Sequence, residues 1–408
     1  MPRPLRILLA TVGSRGDVQP MLALAIELRT LGAVPHFVVP PNFRDWVESL
    51  GFACTPIGPD VRNMTPVASP AAPPTPERRR ELAAGTVHEQ FRVLGEAALG
   101  CSAIVACGAL QIAAQSIGEI QRIPVPFVSY AAVSIPGTAW PPPRMGVARL
   151  AAQSAAENAA LWEAEERNWN ELFGSALNEE RAREGLAPVA SVLRHVITAS
   201  PWLAADPALG PLAPAPGLEI LQDGAWLLRQ DAPLPAALEQ FLAGREPPVY
   251  LGFGSMRGAE GAASLMIDAA RSIGRRVIMS AGWGGLASED ARADCLAIGE
   301  VNHAALFPRV AAVVHHGGAG TTHTAALAGA PQVIVPHHYD QPYWARRVSE
   351  LGIGVSGPER GQLAPENFEQ ALRGALSAGV VSRAREFAAN IEPRGARRAA
   401  ERLMLTLA

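Results

Sequence analysis

Two rhythms of apolar and polar positions alternate along this chain. Short apolar runs bounded by glycine, proline or polar residues predict buried strands. In the first half they are Arg6–Val12, Pro35–Val39, Phe52–Ile57, Ser102–Ala106 and Val125–Ser129; in the second, Val249–Phe253, Arg276–Ser280, Cys295–Ile298, Ala311–Val314 and Gln332–Val335. Between them apolar residues recur at helical spacing. Val18, Met21, Leu22, Ala25, Leu28 and Leu31 form one such stripe, stopped by Gly32. Further helices are expected over Asn42–Leu50, Glu77–Gly100, Leu110–Gln121, Val147–Glu184 and Ala262–Ser272, around Ala304 and Leu306, and from Leu363 to the C-terminus, interrupted at Pro365 and Pro393. Strand and helix in strict alternation predict an α/β fold with parallel, doubly wound sheets.

The alternation runs through twice. A chain of 408 residues exceeds one typical core, so two Rossmann-like domains facing across a cleft are expected. The expected division is 1–205, a linker over 206–235, and 236–408, with the last helix packing back on the first domain. Prolines at 201, 207, 211, 214 and 216 mark the junction as a semi-rigid connection. Two more proline-rich stretches, Gly58–Pro76 and Pro136–Pro143 with Trp140, break the rhythm and read as binding loops.

Composition narrows the function. Apolar residues are 49% and charged ones 18%, as large buried sheets require. A formal charge of −3 leaves no basic footprint for nucleic acid. Cys54, Cys101, Cys107 and Cys295 form no CxxC pair and read as reduced packing residues, without a disulfide frame or zinc site. The apolar run near the N-terminus is too short for a signal peptide, and none reaches the roughly 20 residues of a membrane helix. A cytoplasmic protein is expected.

The chemistry concentrates between His315 and Gln341. After the strand ending at Val314 come His315, His316, Gly317, Gly318, Ala319, Gly320, Thr321 and Thr322, then a small, alanine-rich helix. Glycines let the turn close and leave backbone N–H groups uncovered. A helix N-terminus adds partial positive charge, which together make an anion site suited to a nucleotide diphosphate. The next strand delivers Asp340 and Gln341, a hydrogen-bonding pair suited to a sugar carried on that nucleotide. The pairs His315-His316 and His337-His338 do not read as metal ligands, because adjacent strand residues point apart and no third ligand stands at tetrahedral spacing.

These residues resemble the family-1 glycosyltransferases of the GT-B fold. The likeness in the second half lies in His315, Gly317, Gly320, Thr321, Gly329, Pro331, Pro336, Asp340 and Gln341. In the first half it lies in Gly16-Asp17 followed by Pro20. Gly13-Ser14-Arg15-Gly16-Asp17-Val18, Ala204-Ala205-Asp206-Pro207, Gly224-Ala225-Trp226-Leu227-Leu228 and Glu300-Val301-Asn302 resemble the subgroup that glycosylates glycopeptide antibiotic aglycones. Gly318 and Thr322 depart from that subgroup toward the sterol glucosyltransferases.

The resemblance implies an inverting, metal-independent transfer of a hexose from a UDP- or dTDP-sugar to a hydroxyl of a small-molecule natural-product aglycone, with a sterol or lipid acceptor as the alternative. The nucleotide sugar would be a cosubstrate of the second domain, and no cofactor is implied. The aglycone would lie in the first domain, under loops 58–76 and 134–147. Asp17 is the candidate general base; its other reading is the N-cap of a helix starting at Val18. His315, Gly317, Gly318, Gly320 and Thr321 are candidates for the diphosphate, the first through an imidazole N–H, with Ser14, Arg15 and Ser255 adding donors or charge. Asp340 and Gln341 are candidates for the sugar, or else caps of a helix over Pro342–Glu350. Val301 and Asn302, with Trp283 at the rim, are candidates for the base. Two readings of another kind, a nucleotide-sugar epimerase and a silent partner of another transferase, share the fold; the two proline-rich loops and the joint presence of Asp17, His315, Asp340 and Gln341 argue against them.

Overall fold

The computed structural model describes residues 4–64, 74–108, 110–144, 153–229, 231–244, 246–254, 261–280, 282 and 292–408. Two six-stranded parallel sheets organise them. The first holds β1 (Arg6–Thr11), β2 (Val34–Val39), β3 (Ala53–Pro56), β4 (Ala103–Cys107), β5 (Phe127–Ser129) and β6 (Trp202–Leu203), in the order β3-β2-β1-β4-β5-β6. The second holds β7 (Val249–Gly252), β8 (Val277–Ser280), β9 (Cys295–Ile298), β10 (Ala312–His315), β11 (Gln332–Ile334) and β12 (Gly354–Ser356), in the order β12-β11-β10-β7-β8-β9. In each sheet the chain winds to one edge, then returns to the other side of its first strand. The switch points therefore lie at β1/β4 and β7/β10, and a crevice opens beyond the carboxyl ends of those strands.

Strand periodicity sets the core. In β1, Leu8 and Ala10 face a cluster with Phe91, Leu94, Trp162, Trp169 and Phe173. Ile7 and Leu9 face the opposite cluster with Val18, Met21, Leu22 and Phe37. The long helix Ala155–Arg183 begins at a capping box of Ser154 and Glu157; residues 147–152, expected to belong to it, lie outside the described ones.

Some expectations are corrected. The segment read as a semi-rigid spacer is core at its start: Trp202, Leu203, Ala204, Ala205 and Leu209 are buried. β6 pairs with β5, although two residues are too few for a periodic signal. Asp206, fully buried, ties that segment to the second lobe. Its N–H donates to Nε2 of His323 at 3.0 Å, and its Oδ2 accepts the Glu392 N–H at 2.7 Å. Pro365 does not interrupt a helix; it occupies the first turn of Pro365–Ala375. The loop with Trp140 spans the lobes. Its indole lies edge-on to Tyr343 at 5.0 Å and under the Arg346 guanidinium at 5.0 Å. The last helix, Gly395–Leu407, lays Ala396, Ala399, Ala400 and Leu403 against the first-lobe helix Arg15–Thr30. Among the described residues no helix is long and apolar enough to cross a membrane.

Candidate active site

Asp17 stands at the carboxyl end of β1. The helix there starts at Arg15, three residues before the stripe led by Val18, with Ser14 as N-cap. Asp17 is thus the third helical residue rather than the cap, and it closes a capping box. The Ser14 N–H donates to its Oδ2 at 2.7 Å and the Ser14 hydroxyl to the same atom at 3.3 Å. Its Oδ1 is turned toward Gly108, where an added Cβ would lie 3.8 Å away. Gly13 leaves room for this carboxyl: a Cβ there would come within 2.0 Å of Oδ2. Burial raises the Asp17 carboxyl above its ordinary range, against the Ser14 hydrogen bonds, which lower it. Tyr130 donates its hydroxyl to the Asp17 carbonyl at 2.9 Å and so holds the helix's first turn.

The glycine-rich turn follows β10. Gly317 has φ of +94°, and a Cβ there would meet Ile334 Cγ2 at 2.7 Å, so only glycine fits. Helix Ala319–Leu327 opens with the Thr322 N–H on the Gly318 carbonyl at 3.0 Å. The N–H groups of Ala319, Gly320 and Thr321 therefore point out of the helix end. A Cβ on Gly320 would meet nothing within 4 Å, whereas one on Gly318 would meet the His316 Nε2 at 2.6 Å, so this end is open at Gly320 and flanked by His316.

His315 does not offer its imidazole N–H to that space. The ring is fully buried. Its Nδ1 accepts the Gly317 N–H at 3.1 Å, and its Nε2 lies 2.9 Å from Gln332 Oε1, while Gln332 Nε2 donates to the Thr322 carbonyl. These partners fix the proton on Nε2, and burial pushes the ring's pKa down to about 4. As the last residue of a central strand His315 faces the core, and its contribution is to shape the turn. Arg15 is likewise engaged elsewhere. Its guanidinium lies 4.6 Å from the Trp46 ring centroid and pairs with Glu300 across the cleft.

Asp340 is the N-cap of helix Gln341–Glu350 by position, but its side chain makes no capping bond. Its Oδ2 instead accepts the Trp344 indole N–H at 3.0 Å. Burial pushes its carboxyl up to about 6, and the charge of Asp17 adds to the rise. The two carboxylates, one from each lobe, thus stand within electrostatic reach of each other. Gln341 Oε1 accepts from the N–H groups of His337 at 2.8 Å and His338 at 3.2 Å, which folds the loop between them. Asn302 is also committed: its Oδ1 caps helix His303–Leu306 through the Ala305 N–H, and its Nδ2 donates to the Ala232 carbonyl. Val301 packs on the cluster of Leu306 and Phe307. Ser255 and Trp283 lie outside the described residues. Sequence reasoning named Glu300 only within the family likeness and singled out neither Tyr130 nor Tyr339, the aromatic residue directly before Asp340.

Residues 7–124 match the glycosyltransferase family 28 N-terminal domain, and residues 292–393 match the erythromycin biosynthesis protein CIII-like C-terminal domain. The chain is 42% identical to the vancomycin aglycone glucosyltransferase of Amycolatopsis orientalis, over 98% of this chain and 97% of that one. It is 39% identical to the dTDP-epi-vancosaminyltransferase of the same organism, over 86% of this chain and 85% of that one. Among solved structures, the glycosyltransferase VinC in complex with dTDP superposes with a TM-score of 0.70 at 20% identity, covering 99% of each chain. The architecture of two facing parallel sheets is accordingly the GT-B fold. At this identity, over almost its whole length, the chain belongs to the vancomycin-group glycosyltransferases.

Proposed function

We propose that this enzyme transfers a hexose, with inversion and without a metal ion, from a dTDP- or UDP-sugar to a hydroxyl of a glycopeptide-type aglycone. The observation that carries this reading is that Asp17, after β1, and Asp340, after β11, lie within electrostatic reach of each other beyond the carboxyl ends of the two sheets, where helix Ala319–Leu327 also begins. The acceptor oxygen attacks the anomeric carbon and gives its proton to Asp17 Oδ1, while the bond to the diphosphate breaks. A carboxylate is a weak base toward a hydroxyl; burial, by raising its pKa, makes it a stronger one. The charge that grows on the leaving diphosphate meets the N–H groups of Ala319, Gly320 and Thr321, donors already aligned before reaction. Asp340 accepts from sugar hydroxyls.

The relatives support the donor and the acceptor class by their names: one is a vancomycin aglycone glucosyltransferase, another a dTDP-epi-vancosaminyltransferase. The sterol-like residues do not weigh against that class. Thr322 Oγ1 donates to the Gly318 carbonyl at 2.9 Å, so both serve the helix end. The test is incubation with UDP- and dTDP-hexoses and a glycopeptide aglycone. An inverted glycoside from an α-linked donor, formed in the presence of EDTA, is the expected product. Retention, or an absolute need for a divalent ion, rejects the mechanism.

A further inference from the structure

We propose that Tyr339 is an acceptor-positioning residue, the second lobe's wall of the aglycone site, and that its phenol ring selects for aromatic, hydroxyl-bearing acceptors. The proposal rests on the transferase reading above.

Three observations place it there. First, Tyr339 has φ of +63°, a conformation that costs a side-chain-bearing residue free energy. The other two described non-glycine residues with positive φ, Arg122 and Thr198, each close a helix at its C-cap. Tyr339 closes none; it precedes the N-cap Asp340 as the second residue of a turn in which the Gln341 N–H donates to the His338 carbonyl at 3.3 Å. Strain of this kind persists where surroundings fix it, and the surroundings here do. The Tyr339 N–H donates to the Arg144 carbonyl of the first lobe at 3.0 Å. The two residues before it are held by Gln341 Oε1.

Second, the side chain so aimed is left partly uncovered. Tyr339 keeps 37% of its surface exposed, whereas Tyr343 and Trp344, four and five residues on, are fully buried. Among the described residues its hydroxyl has no hydrogen-bond partner. An exposed aromatic ring with a free donor, fixed by its backbone, is a surface prepared for a ligand.

Third, its surroundings are those of the reaction. The phenol lies within electrostatic reach of Asp17, Asp340, Cys107 and Glu165. Three of these belong to the first lobe: Asp17 is the proposed base, Cys107 ends β4 beside it, and Glu165 lies on the long helix Ala155–Arg183. Burial first, and then these acidic groups, hold the phenol's pKa up at about 12, so it stays a neutral donor. A ring next to the sugar carboxylate in the chain and within electrostatic reach of the base stands close to the acceptor's reacting end. Its face suits an aromatic ring by offset or edge-on stacking, and its hydroxyl suits an acceptor oxygen next to the one attacked.

The test compares Tyr339→Phe, Tyr339→Ala and Tyr339→Gly by steady-state kinetics with a phenolic and an aliphatic-alcohol acceptor, alongside calorimetric titration with dTDP. Tyr339→Phe is expected to raise the phenolic acceptor's KM about three- to tenfold, the span of one lost hydrogen bond. Tyr339→Ala should raise it further, and more for the phenolic than for the aliphatic acceptor, while donor KM moves less than twofold. Tyr339→Gly relieves the backbone, so a folded protein with the same acceptor defect separates the ring's role from that of the loop. Acceptor KM values within twofold of wild type in the Phe and Ala variants overturn the proposal, as does an equal loss for both acceptor classes. A wild-type protein that binds no dTDP or UDP overturns the transferase reading instead.

Discussion

The Arg15 guanidinium crosses the cleft to pair with Glu300, the residue directly before the expected base-binding segment. The pair is part-exposed, with 30% and 64% of the two side chains accessible, so its own contribution to stability is small, about 0–1 kcal/mol. Its consequence is for binding. A guanidinium held by Glu300 is unavailable to a diphosphate, and the two anions compete. Glu300→Gln is expected to tighten dTDP binding about two- to fivefold at low salt, an effect that fades at high ionic strength. Titration calorimetry at two salt concentrations reads this directly. An unchanged Kd at low salt means that Arg15 does not reach the diphosphate.

Asp17 serves the capping box and the proposed proton transfer at once, and the two roles separate by substitution. In Asp17→Asn the amide oxygen still accepts the Ser14 N–H, so stability should stay within about 1 kcal/mol of wild type. Turnover should fall by about 10²–10⁴, the range for a lost general base. Gly13→Ala tests the same carboxyl from outside, since its Cβ would stand 2.0 Å from Oδ2 and push it aside. It should lose turnover with Asp17 intact. Near-wild-type kcat in the folded Asn variant would leave Asp17 only its part in the capping box with Ser14.

Much of this was legible from spacing. The doubly wound sheets, the turn at Gly317–Thr321 and the loop with Asp340 follow from local signals: short apolar runs, glycines, and a helix start. What escaped was decided by partners far along the chain. His315 looks like a phosphate ligand beside glycines, but Gln332 Oε1, on the neighbouring strand, accepts its N–H. The prolines around 207–216 look like a spacer, but buried Asp206 is gripped by His323 and the Glu392 backbone. Trp140 lies in a loop read as an aglycone cover, and Tyr343 of the other lobe claims it. No local pattern reports such pairings.

Asp340 makes stability depend on pH. Its folded pKa, about 6, lies above the 3.8 of an ordinary aspartate. The protonated form is thus the one the fold favours. The stabilisation is complete below about pH 4 and is lost as pH rises through 6. Asp340→Asn cannot ionise and still accepts from the Trp344 indole. It should lie within about 0.5 kcal/mol of wild type at pH 4 and exceed it by about 3 kcal/mol at pH 7.5. Urea unfolding of both proteins at the two values checks the sign. A variant whose advantage does not grow with pH would show that this carboxyl is not held in its neutral form.

The last helix fixes how the lobes sit, and one glycine pair sets its approach. A Cβ on Gly395, the helix's first residue, would lie 2.3 Å from the Gly224 carbonyl carbon and 2.5 Å from the Ala225 oxygen. Both obstacles are backbone, so neither can swing away. Gly224 itself has φ of +110° and faces Gly395 Cα. Gly395→Ala must therefore lift the helix and loosen Ala396, Ala399 and Ala400 from the first-lobe core. A loss of about 2–4 kcal/mol is expected by chemical denaturation, as for overpacking against a rigid neighbour. Gly379→Ala is the control. It lies in helix Ala378–Ala388 with nothing within 4 Å of an added Cβ, so there the better helix propensity of alanine should leave stability equal or up to about 1 kcal/mol higher. Equal behaviour of the two variants would mean that the helix can shift at no cost, and that the crossing at Gly224 does not hold the lobes together.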